Sequence, residues 1–162
     1  FTKFNNLALL ENLKNWFNLK FEIIYFYNVY GKRQIEKGSM ATVIGIFENQ
    51  YKSKKSLSVV KPGTQTRRFT HISDTVDVCF KAWKKNKCAH YSISHKQSHK
   101  IINVAKMFKS KIVYLPPRPG ERFASALSNI SNNNKIIKIY GKINLDRYVK
   151  SFINKNINSS NI

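Results

Sequence analysis

The sequence predicts an α/β chain built on an at least partly parallel sheet, and two observations carry that expectation. Short runs rich in β-branched and aromatic residues alternate with stretches whose apolar residues recur every three or four positions. One of those runs, FEIIYFY at 21–27, is apolar on both faces, as a central parallel strand should be. With 42% hydrophobic and 13% aromatic residues, the 162-residue chain has material for one ordinary core, and no internal repeat divides it.

Phe4, Leu7, Leu10, Leu13 and Phe17 fall at helical spacing, so an amphipathic helix is expected over 1–18. Its periodicity starts at Phe1 with no cap residue before it, which reads as a helix entered partway and a chain that is a segment of a longer one. The strand at 21–27 ends at Asn28 and Gly31, and GKRQIEKGS leads as a loop into a helix at about 39–53. SLSVV (56–60) and RRFTHI (67–72) read as strands. Ser73 or Asp74 is the expected cap of a helix running through Trp83, with Val76, Cys79, Phe80 and Trp83 on its buried face. HYSIS (90–94) is a short strand, Ser98 the expected cap of IINVAKMF, and KIVYL (111–115) a further strand. PPRPGER breaks regular structure at 116–122, and LDRYVKSFI behind Asn144 is a final helix before a flexible polar tail at 154–162.

Lys and Arg number 29 against 8 Asp and Glu, a formal net charge of +21. Taken alone, that balance points to nucleic acid or an anionic surface. The lysines, however, are scattered through every segment together with Asn and Ile, all residues with AT-rich codons. Base-composition drift on solvated faces is therefore the reading preferred over a basic binding face. Cys79 and Cys88 are the only cysteines, and there is neither a signal-peptide pattern nor an apolar run near the ~20 residues of a membrane span. A reduced, cytoplasmic setting without a membrane is expected.

Arginine occurs only at 33, 67, 68, 118, 122 and 147, so four of the six fall in TRRF and RPGER. A guanidinium binds phosphate oxygens through two parallel hydrogen bonds and keeps its proton, whereas an ammonium acts as a point charge. In a lysine-rich chain this choice points to a phosphate or diphosphate ligand. Local pairing with Asp74 and Glu121 is the competing structural reading.

YFYNVYG, GTQTRRFTHISD and PPRPGER, in this order and at this spacing, resemble the C-terminal half of the extended short-chain dehydrogenase/reductases. The resemblance is to their NAD-dependent epimerase/dehydratase family, particularly UDP-glucose 4-epimerase-like enzymes, and runs from Thr2 to about Ile153. It implies the end of a Rossmann-type domain at 1–30 and a mainly nucleotide-sugar-binding part at 31–153. It further implies that Asn28 contacts the sugar nucleotide, a UDP-hexose, and that Arg67 and Arg118 hold its diphosphate. Glu121, where many members have Asp, would bind the nucleoside ribose. Phe26 and Tyr27 would lie beside the nicotinamide of NAD, and the segment 32–62 would wrap the nucleotide.

Short-chain dehydrogenases work through Tyr-x-x-x-Lys on one helix, where i and i+4 share a face and the ammonium lowers the tyrosine pKa. FTK at 1–3 resembles the end of that motif, which makes Lys3 the catalytic and NAD-binding lysine and puts the tyrosine before Phe1. The Gly-rich turn that lets a backbone approach a dinucleotide is likewise expected upstream. The implied intact enzyme oxidises a sugar hydroxyl by hydride transfer to NAD and returns the hydride to the opposite face, while this chain alone is inert. A 4,6-dehydratase or decarboxylase of the same family is the alternative. The resemblance also implies a homodimer paired through the helix over 1–18 and its neighbour.

Cys88, His90, His95 and His99 superficially resemble a zinc set, but a strand at 90–94 followed by a loop is poorly placed to turn all four inward, and no metal is expected. His71 is expected to be a buried, hydrogen-bonded strand residue rather than a proton shuttle. The alternative of another class is a basic nucleic-acid-binding module with Tyr and Phe as stacking platforms. Its aromatics sit mainly at core-periodic positions and no lysine stripe follows one face, so nucleic acid is the less favoured partner.

Overall fold

The structure is a computed structural model that describes residues 2–120 and 136–158, with side chains from Asn5 onwards. Helix α1 (Thr2–Phe17) leads into β1 (Ile23–Phe26) and β2 (Val29–Tyr30), followed by α2 (Val43–Lys52) and β3 (Leu57–Val60). Two short strands, β4 (Thr66–Arg67) and β5 (Thr70–His71), precede α3 (Ile72–Lys85), β6 (His90–Ser94) and β7 (His99–Lys100). The chain then runs through α4 (Ile101–Met107), β8 (Ile112–Leu115), β9 (Ile136–Tyr140) and α5 (Leu145–Asn158). The α/β organisation is as expected: β1, β6 and β9 form a parallel sheet in that order, β2 pairs with β5 and β3 with β8 in parallel, and β4 pairs with β7 antiparallel.

Among the described residues the inner strand of this sheet is β6. Among the described residues β1 pairs along one edge, with Ile23 opposite His90 and Phe26 opposite Ile93, and Phe26 is exposed. Instead β6, which carries His90, Ser92 and Ser94, lies between β1 and β9 and is buried along all five residues. His90 tolerates this because its Nδ1 meets the Tyr25 hydroxyl at 3.2 Å. The third strand, β9, falls in a stretch to which the sequence reading assigns no element.

Glu22 fixes the register of β1 against β6. Its Oε1 accepts the Lys87 and Cys88 amides, the latter at 3.1 Å, and its Oε2 accepts the Ala89 amide at 2.8 Å. Beside it the Ile23 amide donates to the Ala89 carbonyl at 3.1 Å. Asn86 (φ 46°) and Cys88 (φ 52°) turn through the left-handed region, so the chain leaving α3 reverses onto the sheet at this point.

The larger core gathers α2, β3, α4 and α5 around Ile44, Phe47, Leu57, Val59, Val104, Phe108 and Val149. Phe108 meets the rings of Phe47, Tyr51 and Phe152 at 5.9, 6.1 and 6.0 Å, and burying one such side chain stabilises by about 1.5–3 kcal/mol. A smaller core of Val78, Ala82, Tyr91 and Ile93 joins α3 to the sheet.

Four local expectations are corrected. His71, not Ser73 or Asp74, caps α3: it is extended (φ −70°, ψ 142°) and its Nδ1 accepts the Ser73 amide at 3.2 Å. The buried face of α3 is Thr75, Val78 and Ala82, about 100° round the helix from the expected stripe. Val76, Phe80 and Trp83 are exposed among the described residues. Ser98 does not cap α4, since His99 and Lys100 pair with β4 and Lys100 stands at the cap without a side-chain bond. Finally, α5 runs to Asn158, past the point where the tail is expected, with Ile153 buried and Asn156 Nδ2 donating to the Phe152 carbonyl at 2.8 Å.

Candidate functional site

Asn28 occupies the bend between β1 and β2 at φ 40°, a left-handed conformation that Asn adopts more readily than most residues. Its Nδ2 donates to the Arg68 carbonyl at 2.9 Å, and its own carbonyl accepts the Thr70 amide at 3.3 Å. The carboxyl end of β1 is thereby tied to the RRFT segment. A pocket of about 280 Å³ opens here, lined by Asn28, Ala41, Thr42, Val43 and Phe69 among others.

The loop that closes this pocket is held from α2. Thr42 caps the helix, with Oγ1 accepting the Gly45 amide at 3.0 Å and donating to Gln34 Oε1 at 2.8 Å. A Cβ on Gly45 would stand 2.5 Å from the Ile35 carbonyl oxygen, so only glycine lets the helix start this close to the loop. Glu48 is buried in the same helix, with Oε2 accepting Gln34 Nε2 at 2.9 Å, and burial pushes its pKa up. Its signal in the sequence is a lone acid inside the apolar stretch VIGIFENQY.

The adjacent arginines divide their work. Arg68 donates through Nη1 to the carbonyls of His95, at 3.0 Å, and Lys96, and its Nε is buried without a partner. This is a structural clamp between the RRFT segment and the turn after β6. Arg67 lies in β4 opposite His99 and donates from Nη1 to the Thr66 carbonyl at 2.8 Å. Asp74 does not serve these arginines: its Oδ2 accepts the Lys142 and Ile143 amides, both at 3.0 Å.

Phe26, 58% exposed, and the half-buried Tyr27 stand directly before Asn28 at the carboxyl end of β1. The structure thus gathers Phe26, Tyr27, Asn28 and the TRRF segment at one place. Arg118 is exposed in the turn after β8 and joins them by no hydrogen bond among the described residues. Lys3 lies in the first turn of α1, while its side chain, like Glu121, is outside what the structure describes. Tyr51 and Lys55 do have Tyr-x-x-x-Lys spacing, but α2 ends at Lys52, so the two do not share a helical face.

His71 is half-buried and forms a three-ring cluster with Tyr30 and Tyr148, at 5.3 and 5.6 Å, and burial pushes its pKa down. His90 and His99 are buried, and burial lowers both. Among the described residues no group of three or more His, Cys, Asp or Glu side chains is placed to hold a metal ion. Gln65, a buried residue that sequence reasoning passes over, braces the turn before β4: its Nε2 donates to the Val60 carbonyl at 3.3 Å, and its own carbonyl accepts the Ile101 amide at 3.0 Å.

A polar cluster and pocket at the carboxyl end of a parallel strand place this chain in the class of open α/β proteins, whose ligand crevices lie at that end of the sheet. The particular family follows from comparison: the chain belongs to the NAD dependent epimerase/dehydratase family, whose sequence profile matches residues 1–105. A putative UDP-glucose 4-epimerase of Methanocaldococcus jannaschii is 30% identical over 111 residues, covering 65% of this chain and 36% of that protein. UDP-glucuronic acid decarboxylase 3 of Arabidopsis thaliana is 30% identical over 95 residues, covering 58% and 27%. Among solved structures, the UDP-glucose 4-epimerase of Thermotoga maritima with UDP-glucose superposes with a TM-score of 0.75 at 19% identity, over 99% of this chain and 53% of that one. The chain spans about half the length of such structures and about a third of the Methanocaldococcus protein.

Proposed function

We propose that this chain carries the nucleotide-sugar pocket of an NAD-dependent epimerase acting on UDP-hexoses. The observation that carries the reading is the union of Asn28 with the RRFT segment, through the 2.9 Å bond to the Arg68 carbonyl, at the rim of the pocket between β1 and α2. Val43 and Phe69 offer apolar walls to a flat base and Asn28 a polar side chain to the sugar nucleotide. Arg67 does not line this pocket; it lies two residues from Phe69 in β4, and its guanidinium is the group proposed for the diphosphate. Arg118 and Glu121 complete the grip on diphosphate and ribose. The solved relatives that hold UDP-glucose, or UDP-glucuronic acid with NAD, support this ligand class.

NAD fits this chain at one end only. Phe26 presents an exposed apolar surface suited to the nicotinamide and Lys3 is the lysine for its ribose, but the glycines, at 31, 38, 45, 63, 120 and 141, do not form the dinucleotide-binding turn. When bound, NAD supplies a hydride acceptor; the residues here bind and orient the sugar. The tyrosine of the family's Tyr-x-x-x-Lys pair and a Gly-rich turn are not among these 162 residues, and the residues proposed here bind and orient rather than carry the proton transfer. The exposed Leu9, Trp16 and Phe17 of α1 suit a homodimer. No helix among the described residues is long and apolar enough to cross a membrane, and both cysteines are free, which fits the cytoplasm. The decarboxylase relative makes a decarboxylase or 4,6-dehydratase on the same pocket the second reading.

Calorimetric titration of the whole protein with UDP-glucose tests the assignment. Arg67→Ala and Arg118→Ala should each weaken binding by about 1.5–3 kcal/mol, the worth of a charged hydrogen bond. Unchanged affinity in both variants removes the diphosphate role.

A further inference from the structure

We propose a second ligand site, for a phosphate or diphosphate ester bearing a flat apolar group, in the cleft between the turn after β2, the start of α3 and α5. The cleft measures about 500 Å³ and shares no lining residue with the pocket at Asn28. Lys32, Arg33 and Lys155 line it, and no carboxylate among the described residues does. Asp74, in the first turn of α3, is engaged by the Lys142 and Ile143 amides.

The walls match the two ends of such a ligand. Ser73 and Ser151 offer hydroxyls beside the cations, and Tyr148 and Phe152 form an aromatic wall. The amino end of the 14-residue α3 adds the positive end of its dipole. His71 has its Nδ1 occupied by the Ser73 amide, which leaves Nε2 as the proton-bearing nitrogen, and the two tyrosine rings of its cluster hold its plane.

The turn that carries two of the cations is built rather than loose. Gly31 is buried, and a Cβ there would stand 2.5 Å from Ile72 Cγ2, so the turn backbone rests directly on the first residue of α3. Arg33 is held at φ 64°, a left-handed conformation uncommon for a long side chain. The groove beside Tyr51 shows what lysine enrichment alone produces. Its cations are Lys52, Lys54, Lys55 and Lys111, without an arginine or a helix start.

The test titrates the 162-residue chain with inorganic pyrophosphate, ADP and adenosine at about 0.15 M ionic strength, following amide shifts and heat. The site requires saturable shifts at Lys32, Arg33, Ser73 and Ser151, with ADP binding more tightly than pyrophosphate and adenosine not binding there. Arg33→Gln should weaken ADP about tenfold through the lost bidentate charged contact. Ser151→Trp, at an exposed position of α5, should fill the cleft and abolish binding. Arg147→Gln removes the same charge from an exposed position outside the cleft and should leave ADP affinity unchanged. Binding of UDP-glucose at the pocket of Asn28, read from the Asn28 and Phe69 amides, should be unaltered in all three, and circular dichroism confirms that they fold. Equal losses in Arg33→Gln and Arg147→Gln, shifts spread over the lysines, or adenosine bound as tightly as ADP would overturn the site. Single-stranded DNA bound with the same indifference to Arg33 would do so too, and would make the charge a diffuse basic face.

Discussion

Removing the Glu22 carboxylate should unlock the sheet that presents Asn28. In Glu22→Ala three amides lose their acceptor. Lys87 is exposed and regains water, whereas Cys88 and Ala89 are half-buried and recover it poorly. Two bonds to a charged acceptor, each worth about 1.5 kcal/mol at the low end, give a loss of about 3 kcal/mol. At about 2–4 °C per kcal/mol for a chain of this size, the melting temperature should fall by about 6–12 °C. Glu22→Gln separates the two oxygens: its amide oxygen can still serve Lys87 and Cys88, but its NH₂ then faces the Ala89 N–H, so about half of the loss should remain. Circular dichroism melts give the stability, and hydrogen exchange at residues 87–89 gives the location, with protection lost there first. A melting temperature unchanged in Glu22→Ala, or a Gln variant no better than Ala, refutes the reasoning.

Asp74→Ala should cost about 2–3 kcal/mol, because it strips the acceptor from the Lys142 and Ile143 amides where β9 turns into α5. Gly141→Ala should cost about 1 kcal/mol for the same reason, since its Cβ would stand 2.8 Å from the bonded Asp74 Oδ2; in the Asp74→Ala background that cost should vanish, which a double-mutant cycle in urea measures. Burial lowers His71, His90 and His99 below the unfolded value of about 6.5, so their contribution is complete above that pH and is lost as pH falls through the lowered values. The melting temperature should therefore drop between about pH 7.5 and about pH 5.5, and less so in His90→Gln, which keeps an acceptor for the Tyr25 hydroxyl without titrating. Glu48, raised by burial, acts in the opposite sense and only nearer the carboxylate range; a melting temperature flat across the histidine range contradicts the assignment.

The α/β class was legible because local periodicity differs between strand and helix; TRRF stood out by its residue chemistry, and Asn28 only through the resemblance of YFYNVYG to a family motif. Positions set by pairing were not. HYSIS reads only as a short strand, and its inner place among the described residues depends on β1 and β9 on either side. The face of α3 was misplaced because large apolar residues mark a candidate stripe, while the buried face carries Thr75, Val78 and Ala82. Glu22 reaches amides 65 to 67 residues away, and no spacing rule connects them. The double arginine shows the same limit at the site: sequence marks both as special, and only the fold shows that Arg68 is spent on the His95 and Lys96 carbonyls.

Titration of the chain with UDP-glucose, followed by amide shifts, tests the central claim most directly. The account predicts saturable changes at Asn28, at residues 42–45 and at Arg67 and Phe69, which glucose alone does not produce. No saturable change at these positions, or changes confined to other parts of the fold, would contradict it.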